Sequence, residues 1–370
     1  MPTEANLANA RHILTQAVAE KVFPGAAFGA LFAGVIHTGA VGHFTYTPGA
    51  PSVTPETLFD IASLTKVVAA TSMAMILYDR GLLKLDTPLE TILPTFNPQH
   101  DPARAKVTLR MLLAHSSGLP AHEYLHKRCR TRDEALAACL TMPLVHEPGT
   151  TAVYSDIGFI LLGLALEAIA GEPLDQFCAR EIFQPLGMTS TLWEPGPSLR
   201  ASIPPTQNTP QLIQGTVRDE NAALLGGVAA HAGLFSNVPD LLRFAQCILN
   251  GGEGLIQPAT IALFATRESS PAGTSRALGW DTPSGLSSSG RHFSAHSIGH
   301  LGYTGTSLWL DLDRSLAVVL LTNRTWPDHG TPQAAHLPDR QEPIRRIRPA
   351  FHDVLLKALF ASSASATRSD

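Results

Sequence analysis

Charge is scarce in this chain. Charged residues make up 16% of it and the formal net charge is −4. Nothing in that balance favours nucleic acid or an anionic membrane surface, so neither is expected as a partner. Cysteine is scarcer still. Cys129, Cys139, Cys178 and Cys247 are scattered and form no C-x-x-C pair, which excludes a disulfide framework and a thiolate metal site and leaves reduced thiols. Long apolar runs are missing as well. None could span a membrane, so no membrane insertion is expected. The opening MPTEANLANARHIL lacks the apolar core of a secretory signal, and Met1 argues against a removed leader, so the expectation is a cytoplasmic protein.

What is present is a globular composition. The 370 residues are 44% hydrophobic, enough for two structural units or one domain with a large insertion. Apolar residues at helical spacing predict a first helix over Asn6 to Val22, stopped by Phe23-Pro24-Gly25. Strands are expected over Ala26 to Phe32 and Val35 to Gly42. The middle reads as helical at Leu64 to Arg80, Leu109 to Ala114, Arg132 to Leu140, Ile157 to Ala170 and Leu174 to Phe183, with a further helix over Asp240 to Leu249. Ser198 to Gln214 is proline-rich and irregular. Strands return at Leu308 to Leu312 and Leu316 to Thr322, before a helix from about Ile347 to Phe360 and a frayed tail, Ala361 to Asp370.

This order predicts an α/β fold of the α+β type. Residues 1–60 and 235–370 would share an antiparallel sheet flanked by the N- and C-terminal helices. Residues 61–234 would form a helix-rich insertion, with the active site at the interface.

Three short segments carry candidate chemistry. In Ser63-Leu64-Thr65-Lys66, a hydroxyl sits one helical turn ahead of an amine, where a nucleophile and its base could meet. An extended approach, Thr57 to Ala62, places Ser63 at a helix N-terminus, which favours a developing anion. Read alone, Ser63 is more simply an N-cap. Tyr154-Ser155-Asp156 opens a later helix, and a tyrosine there can point its hydroxyl into a cleft; a half-buried tyrosine beside an Asp cap is the plainer account. The third segment is Gly299-His300-Leu301-Gly302-Tyr303-Thr304-Gly305-Thr306-Ser307, whose glycines would let a ligand approach an edge strand. Alone it also reads as a hairpin without chemistry.

Together and in this order, the segments resemble the serine β-lactamase and penicillin-binding-protein superfamily. The class C side is most similar, with its D-alanyl-D-alanine carboxypeptidases and esterases. Supporting stretches are Leu113 to Pro120, Tyr154 to Gly163, Ile182 to Met188 and Gly226 to Asn237, and the likeness runs from about Val22 to Asn323. The resemblance implies a β-lactamase/transpeptidase-like fold. It implies Ser63 as the acylated nucleophile, Lys66 as its activator and Tyr154 as the proton relay. The N–H groups of Ser63 and Tyr303 would form an oxyanion hole. His300-Leu301-Gly302 takes the place of the family's Lys-Thr-Gly.

Two departures bear on substrate. No lysine occurs between Lys127 and Lys357, so His300 stands where a lysine would hold a substrate carboxylate, and Leu301 replaces a hydroxyl. Asp156 replaces the more usual asparagine and would hold a proton on Lys66. Asp156, His300, Leu301 and Gly302 are therefore the expected substrate-binding residues, with the carboxylate anchor weakened.

The expectation is a serine acyl-enzyme hydrolase of small esters or amides. A β-lactamase or D-alanyl-D-alanine carboxypeptidase is the alternative enzyme, and a catalytically silent ligand-binding protein the alternative of another class. The partner expected is a small ester, amide or lactam, with no cofactor and no metal. His292, His296 and His300 repeat at intervals of four, but Gly299 and the following strand argue against one metal-binding helix. Asp219-Glu220 reads as a solvated loop beside the cleft, His115 and His231 as structural hydrogen-bonders, and Trp309 and Phe235 as core or cleft wall.

Overall fold

The computed structural model describes residues 4–207, 211–327 and 341–366. Its frame is a five-stranded sheet in the order β2-β1-β8-β7-β6, antiparallel throughout. The strands are β1 (Gly25–Phe32), β2 (Val35–Gly42), β6 (Ser297–Leu301), β7 (Ser307–Asp311) and β8 (Leu316–Thr322). The two chain ends thus meet at the β1–β8 pairing, where Gly29 faces Val319. A two-residue turn joins β1 to β2, with Ala33 and Gly34 both at positive φ, as a hairpin of this twist requires.

Period-2 alternation sends β1 to two cores. Ala26, Phe28 and Ala30 pack with Trp309, Val318 and Leu320 against Ala10 and Leu14 of the first helix, Glu4–Ala19, and Phe351 and Leu355 of the last, Gln341–Ala366. Ala27 and Leu31 join Leu308, Val319 and Leu321 on the other face, against Leu241 and Leu242 of the helix Val238–Leu249. Covered on both faces, β8 is an unbroken apolar run rather than an alternating one. Gly29 permits that contact: a Cβ there would lie 2.5 Å from a Val238 methyl.

A second, smaller sheet positions the candidate nucleophile. Strand β3 (Phe59–Asp60) pairs with β5 (Leu234–Ser236), which pairs with β4 (Leu192–Trp193). Its short strands leave little periodicity, and the sequence reading has only an extended approach there. From β3 the chain enters a 3₁₀ turn, Ala62–Leu64, then a π-helical turn, Lys66–Thr71, then the α-helix Ser72–Asp79. This helical run is buried from Leu64 to Leu77.

Two expectations need correction. The chain end is not wholly frayed, since helix continues to Ala366, and residues 367–370 lie outside the described residues. The irregular stretch holds a short helix, Pro197–Arg200, and part of it, 208–210, also lies outside them. Among the described residues no single helix is long and apolar enough to cross a membrane; Asp156–Ala170 and Leu174–Phe183 pass only as a pair, bent by 71°.

Candidate active site

Ser63 and Lys66 share the buried helical entry, and geometry brings their side chains together. Lys66 is fully buried and Nζ has three acceptors: Ser63 Oγ at 3.1 Å, Asp156 Oδ1 at 2.7 Å and the His231 carbonyl at 2.9 Å. Three acceptors match the three donors of an ammonium. Burial alone would drive the proton off Lys66, but Asp156 outweighs it and the pKa lies above the ordinary lysine value.

The backbone ahead of Ser63 is strained. Ala62 sits at φ +48°, a conformation that L-residues rarely adopt. Asp60 holds it there: Oδ1 accepts the Ala62 N–H at 2.8 Å, and Oδ2 accepts the Arg218 N–H at 2.7 Å. The Asp60 carboxyl is buried among those donors, and burial pushes its pKa up to about 6 against their pull.

Tyr154 closes the site from the extended segment that leads into the helix Asp156–Ala170. Ser155, not Asp156, caps that helix, its Oγ accepting from the Gly158 N–H at 2.9 Å. The cap leaves the Asp156 carboxylate free to reach Lys66. The Tyr154 ring lies 4.8 Å from Lys66 Nζ, 4.6 Å from the His115 ring and 5.7 Å from the His300 ring. Burial holds its phenol above the usual tyrosine range, while Lys66 and the Ser63 hydroxyl pull the other way. At neutral pH it is a proton donor.

Asp156 is an ion-pair partner whose second oxygen is also engaged. Oδ2 faces His122 Nδ1 at 3.6 Å, which raises the His122 pKa, and Asp156 itself is held well below the carboxylate range; burial opposes this, but Lys66 and His122 prevail. Asp219 is no solvated loop residue either. It caps a helical turn through the Ala222 N–H and pairs with His231 Nε2 at 3.1 Å. His115 is structural as expected, accepting the Ser155 N–H on Nδ1 at 3.0 Å.

The third segment forms β6 and the turn after it. His300 is buried in β6, with Nδ1 2.9 Å from the Leu301 carbonyl, to which it must donate. Nε2 is then an acceptor, buried and without a partner among the described residues. Burial, then the charges of Lys66 and Arg276, push the His300 pKa down to about 3, so the ring is neutral. His296 pairs instead with Asp313 at 3.0 Å, away from His300.

The glycines serve protein packing rather than ligand approach. A Cβ on Gly299 would lie 2.2 Å from the Trp309 ring, and one on Gly302 would meet Thr306 Oγ1 at 2.0 Å and the Ile61 carbonyl at 2.6 Å. The turn is tied to the nucleophile's strand by hydroxyls: Thr304 Oγ1 donates to the Asp60 carbonyl at 2.8 Å and Thr306 Oγ1 to the Ile61 carbonyl at 3.1 Å. Among the described residues the Tyr303 N–H finds no acceptor, while its ring is exposed.

One functional candidate escaped the sequence reading. The Arg276 guanidinium carbon lies 5.4 Å from the Tyr154 ring centre, and its nearest acid is Asp281 at 3.7 Å. It stands in an irregular segment with no pattern to single it out. It supplies a cation near His300, where the third segment has none.

Comparisons with known proteins agree with this architecture. A sequence model of the Beta-lactamase family matches residues 10–339. An Escherichia coli (strain K12) protein, provisionally named D-alanyl-D-alanine carboxypeptidase, is 32% identical over 314 residues, covering 76% of this chain and 72% of its own. The N-acetylmuramyl-L-alanine amidase of Bacillus subtilis (strain 168) is 33% identical over 308 residues, covering 73% and 68%. Among solved structures, EstCE1, a hydrolase with promiscuous acyltransferase activity, superposes with a TM-score of 0.73 at 24% identity, over 94% of this chain and 99% of its own. This chain belongs to the β-lactamase family.

Proposed function

We propose that this β-lactamase-family protein is a serine acyl-enzyme hydrolase acting on small esters or amides. The observation that carries the reading is the contact of Lys66 Nζ with Ser63 Oγ at 3.1 Å, inside a buried charge network beside the Tyr154 ring. In its neutral form Lys66 takes the Ser63 proton, and Ser63 Oγ attacks the acyl carbon. The N–H groups of Ser63 and Tyr303 receive the oxyanion. Collapse breaks the bond to the leaving group, which Tyr154 protonates. Water then attacks the acyl-enzyme with the relay reversed, and Ser63 regains its proton.

A silent binding protein would have no use for a base held against a hydroxyl in a buried site. The test is intact-mass spectrometry after incubation with a fluorophosphonate. The expected result is one adduct, mapped to Ser63 and absent from Ser63→Ala. An unlabelled wild type, or a Ser63→Ala variant with full esterase activity, would sink the reading.

A second reading, peptidase action on substrates with a carboxylate near the scissile bond, is favoured by Arg276. Its guanidinium offers the anion a partner that neutral His300 does not. The carboxypeptidase-named relative is in keeping with it. A panel of p-nitrophenyl butyrate, nitrocefin and a D-Ala-D-Ala peptide separates the readings by kcat/KM. Faster turnover of either anionic substrate than of the ester favours the second.

A further inference from the structure

The peptide unit between Gly302 and Tyr303 has two polar ends, and the proposed reaction uses only one. Its N–H is the oxyanion donor. In a trans peptide the carbonyl points the opposite way, so whatever holds the Gly302 oxygen also fixes the direction of the Tyr303 N–H. That oxygen accepts the Gly305 N–H at 3.1 Å inside the turn and, from outside it, Arg348, whose Nη2 lies 2.7 Å away. The same nitrogen reaches the Thr306 carbonyl at 3.0 Å, and Nε reaches the Gly305 carbonyl at 3.4 Å.

Arg348 is an odd residue to find here. It stands on the apolar stripe of the C-terminal helix, four residues after buried Ile344 and three before buried Phe351. Among the described residues it forms no ion pair, and its acceptors are backbone carbonyls of a single turn. Burying a guanidinium without a carboxylate is costly, and an apolar side chain would serve the core better. Thr304 and Thr306 tie the same turn to the Asp60 and Ile61 carbonyls, just ahead of Ser63. The turn is thus gripped from both sides, with Arg348 behind the peptide that faces the substrate.

We propose that Arg348 is a positioning residue for acyl transfer, orienting and polarising the Gly302–Tyr303 peptide so that its N–H meets the oxyanion. A cation on the carbonyl end also makes the N–H a stronger donor. The inference rests on the serine hydrolase reading and on Tyr303 as the oxyanion donor.

Full-length Arg348→Met and Arg348→Lys test it. The readouts are kcat and KM on p-nitrophenyl butyrate per fluorophosphonate-titrated site, with the Ki of phenylboronic acid, whose tetrahedral serine adduct places an oxygen in the oxyanion hole. Arg348→Met should lower kcat by roughly 10- to 100-fold, short of losing a donor outright, and raise the boronate Ki by a similar factor, with KM within about twofold. Arg348→Lys should recover part of both. Unchanged kcat and Ki per titrated site in the Met variant, or a loss confined to KM, overturns the role. If the Met variant does not fold, the Lys variant decides by the same criteria, with a loss of several-fold expected. A wild type that takes no fluorophosphonate overturns the serine reading and this one with it. Normal wild-type labelling beside an unimpaired variant overturns the Arg348 role alone.

Discussion

Asp156→Asn should make Lys66 a better base at neutral pH. Asp156 lies 2.7 Å from a fully buried ammonium and holds its pKa up. An opposite charge this close favours the protonated amine, so its removal lowers the Lys66 pKa. At pH 7 the neutral amine is then more abundant, by more than the weaker base gives back. The net expectation is a kcat/KM about tenfold higher at pH 7 and an acid limb displaced to lower pH, read from pH–rate profiles on p-nitrophenyl butyrate between about pH 5 and 10. The variant should also be less stable, by up to about 3–5 kcal/mol, reduced because Lys66 can shed its charge. Its pH dependence has a definite sign. Asp156 is depressed when folded, so its stabilisation is present above its unfolded value near 3.8 and is lost as pH falls through the folded one. Lys66 is raised, so its share is present below 10.5 and fades as pH rises through the folded value. The wild type should therefore lose more stability than the variant in acid below about pH 4. An acid limb that stays in place, or a folded variant inactive at every pH, would refute Lys66 as the base and leave Asp156 needed for something else.

Arg276→Gln separates the two substrate readings. If the guanidinium holds a carboxylate, kcat/KM on nitrocefin or a D-Ala-D-Ala peptide falls by roughly 10- to 100-fold, the worth of one charge-assisted hydrogen bond, while p-nitrophenyl butyrate turnover moves less than about twofold. Equal losses on both classes would mean that Arg276 supports Tyr154 instead. Gly299→Ala tests the packing account of the third segment. The new methyl would meet the buried Trp309 ring at 2.2 Å, and overpacking of that kind costs about 1–3 kcal/mol, measurable by urea unfolding. An unchanged midpoint would restore the view that the glycine keeps space open for a ligand.

The frame was legible because burial writes period into sequence. Strand β8 lies between two cores, and its run LAVVLLT marks both its limits. The hairpin β1–β2 and the helix Asp156–Ala170 were visible within a residue for the same reason. The small sheet was not. Strands β3 and β4 have two residues each, too few to show alternation, and their pairing with β5 depends on contacts far apart in sequence.

The site divides along a different line. Ser63, Lys66, Tyr154 and His300 could be found because each sits in a local pattern tied to a helix start or a strand. Residues that act by where the fold carries them leave a weaker trace. Arg276 reaches Tyr154 from a segment with no periodicity at all. Asp60 looks like one strand residue among others until its carboxylate is seen on the Ala62 and Arg218 N–H groups. Arg348 did leave a signal: an arginine at the position where Ile344, Phe351 and Leu355 set an apolar stripe contradicts the helix that carries it. Such a contradiction has a physical meaning. A buried cation survives only where polar groups wait for it, and here those groups are the carbonyls of the turn that carries Tyr303. The residues that break a helix's own pattern are therefore the ones to follow from the core back to the site.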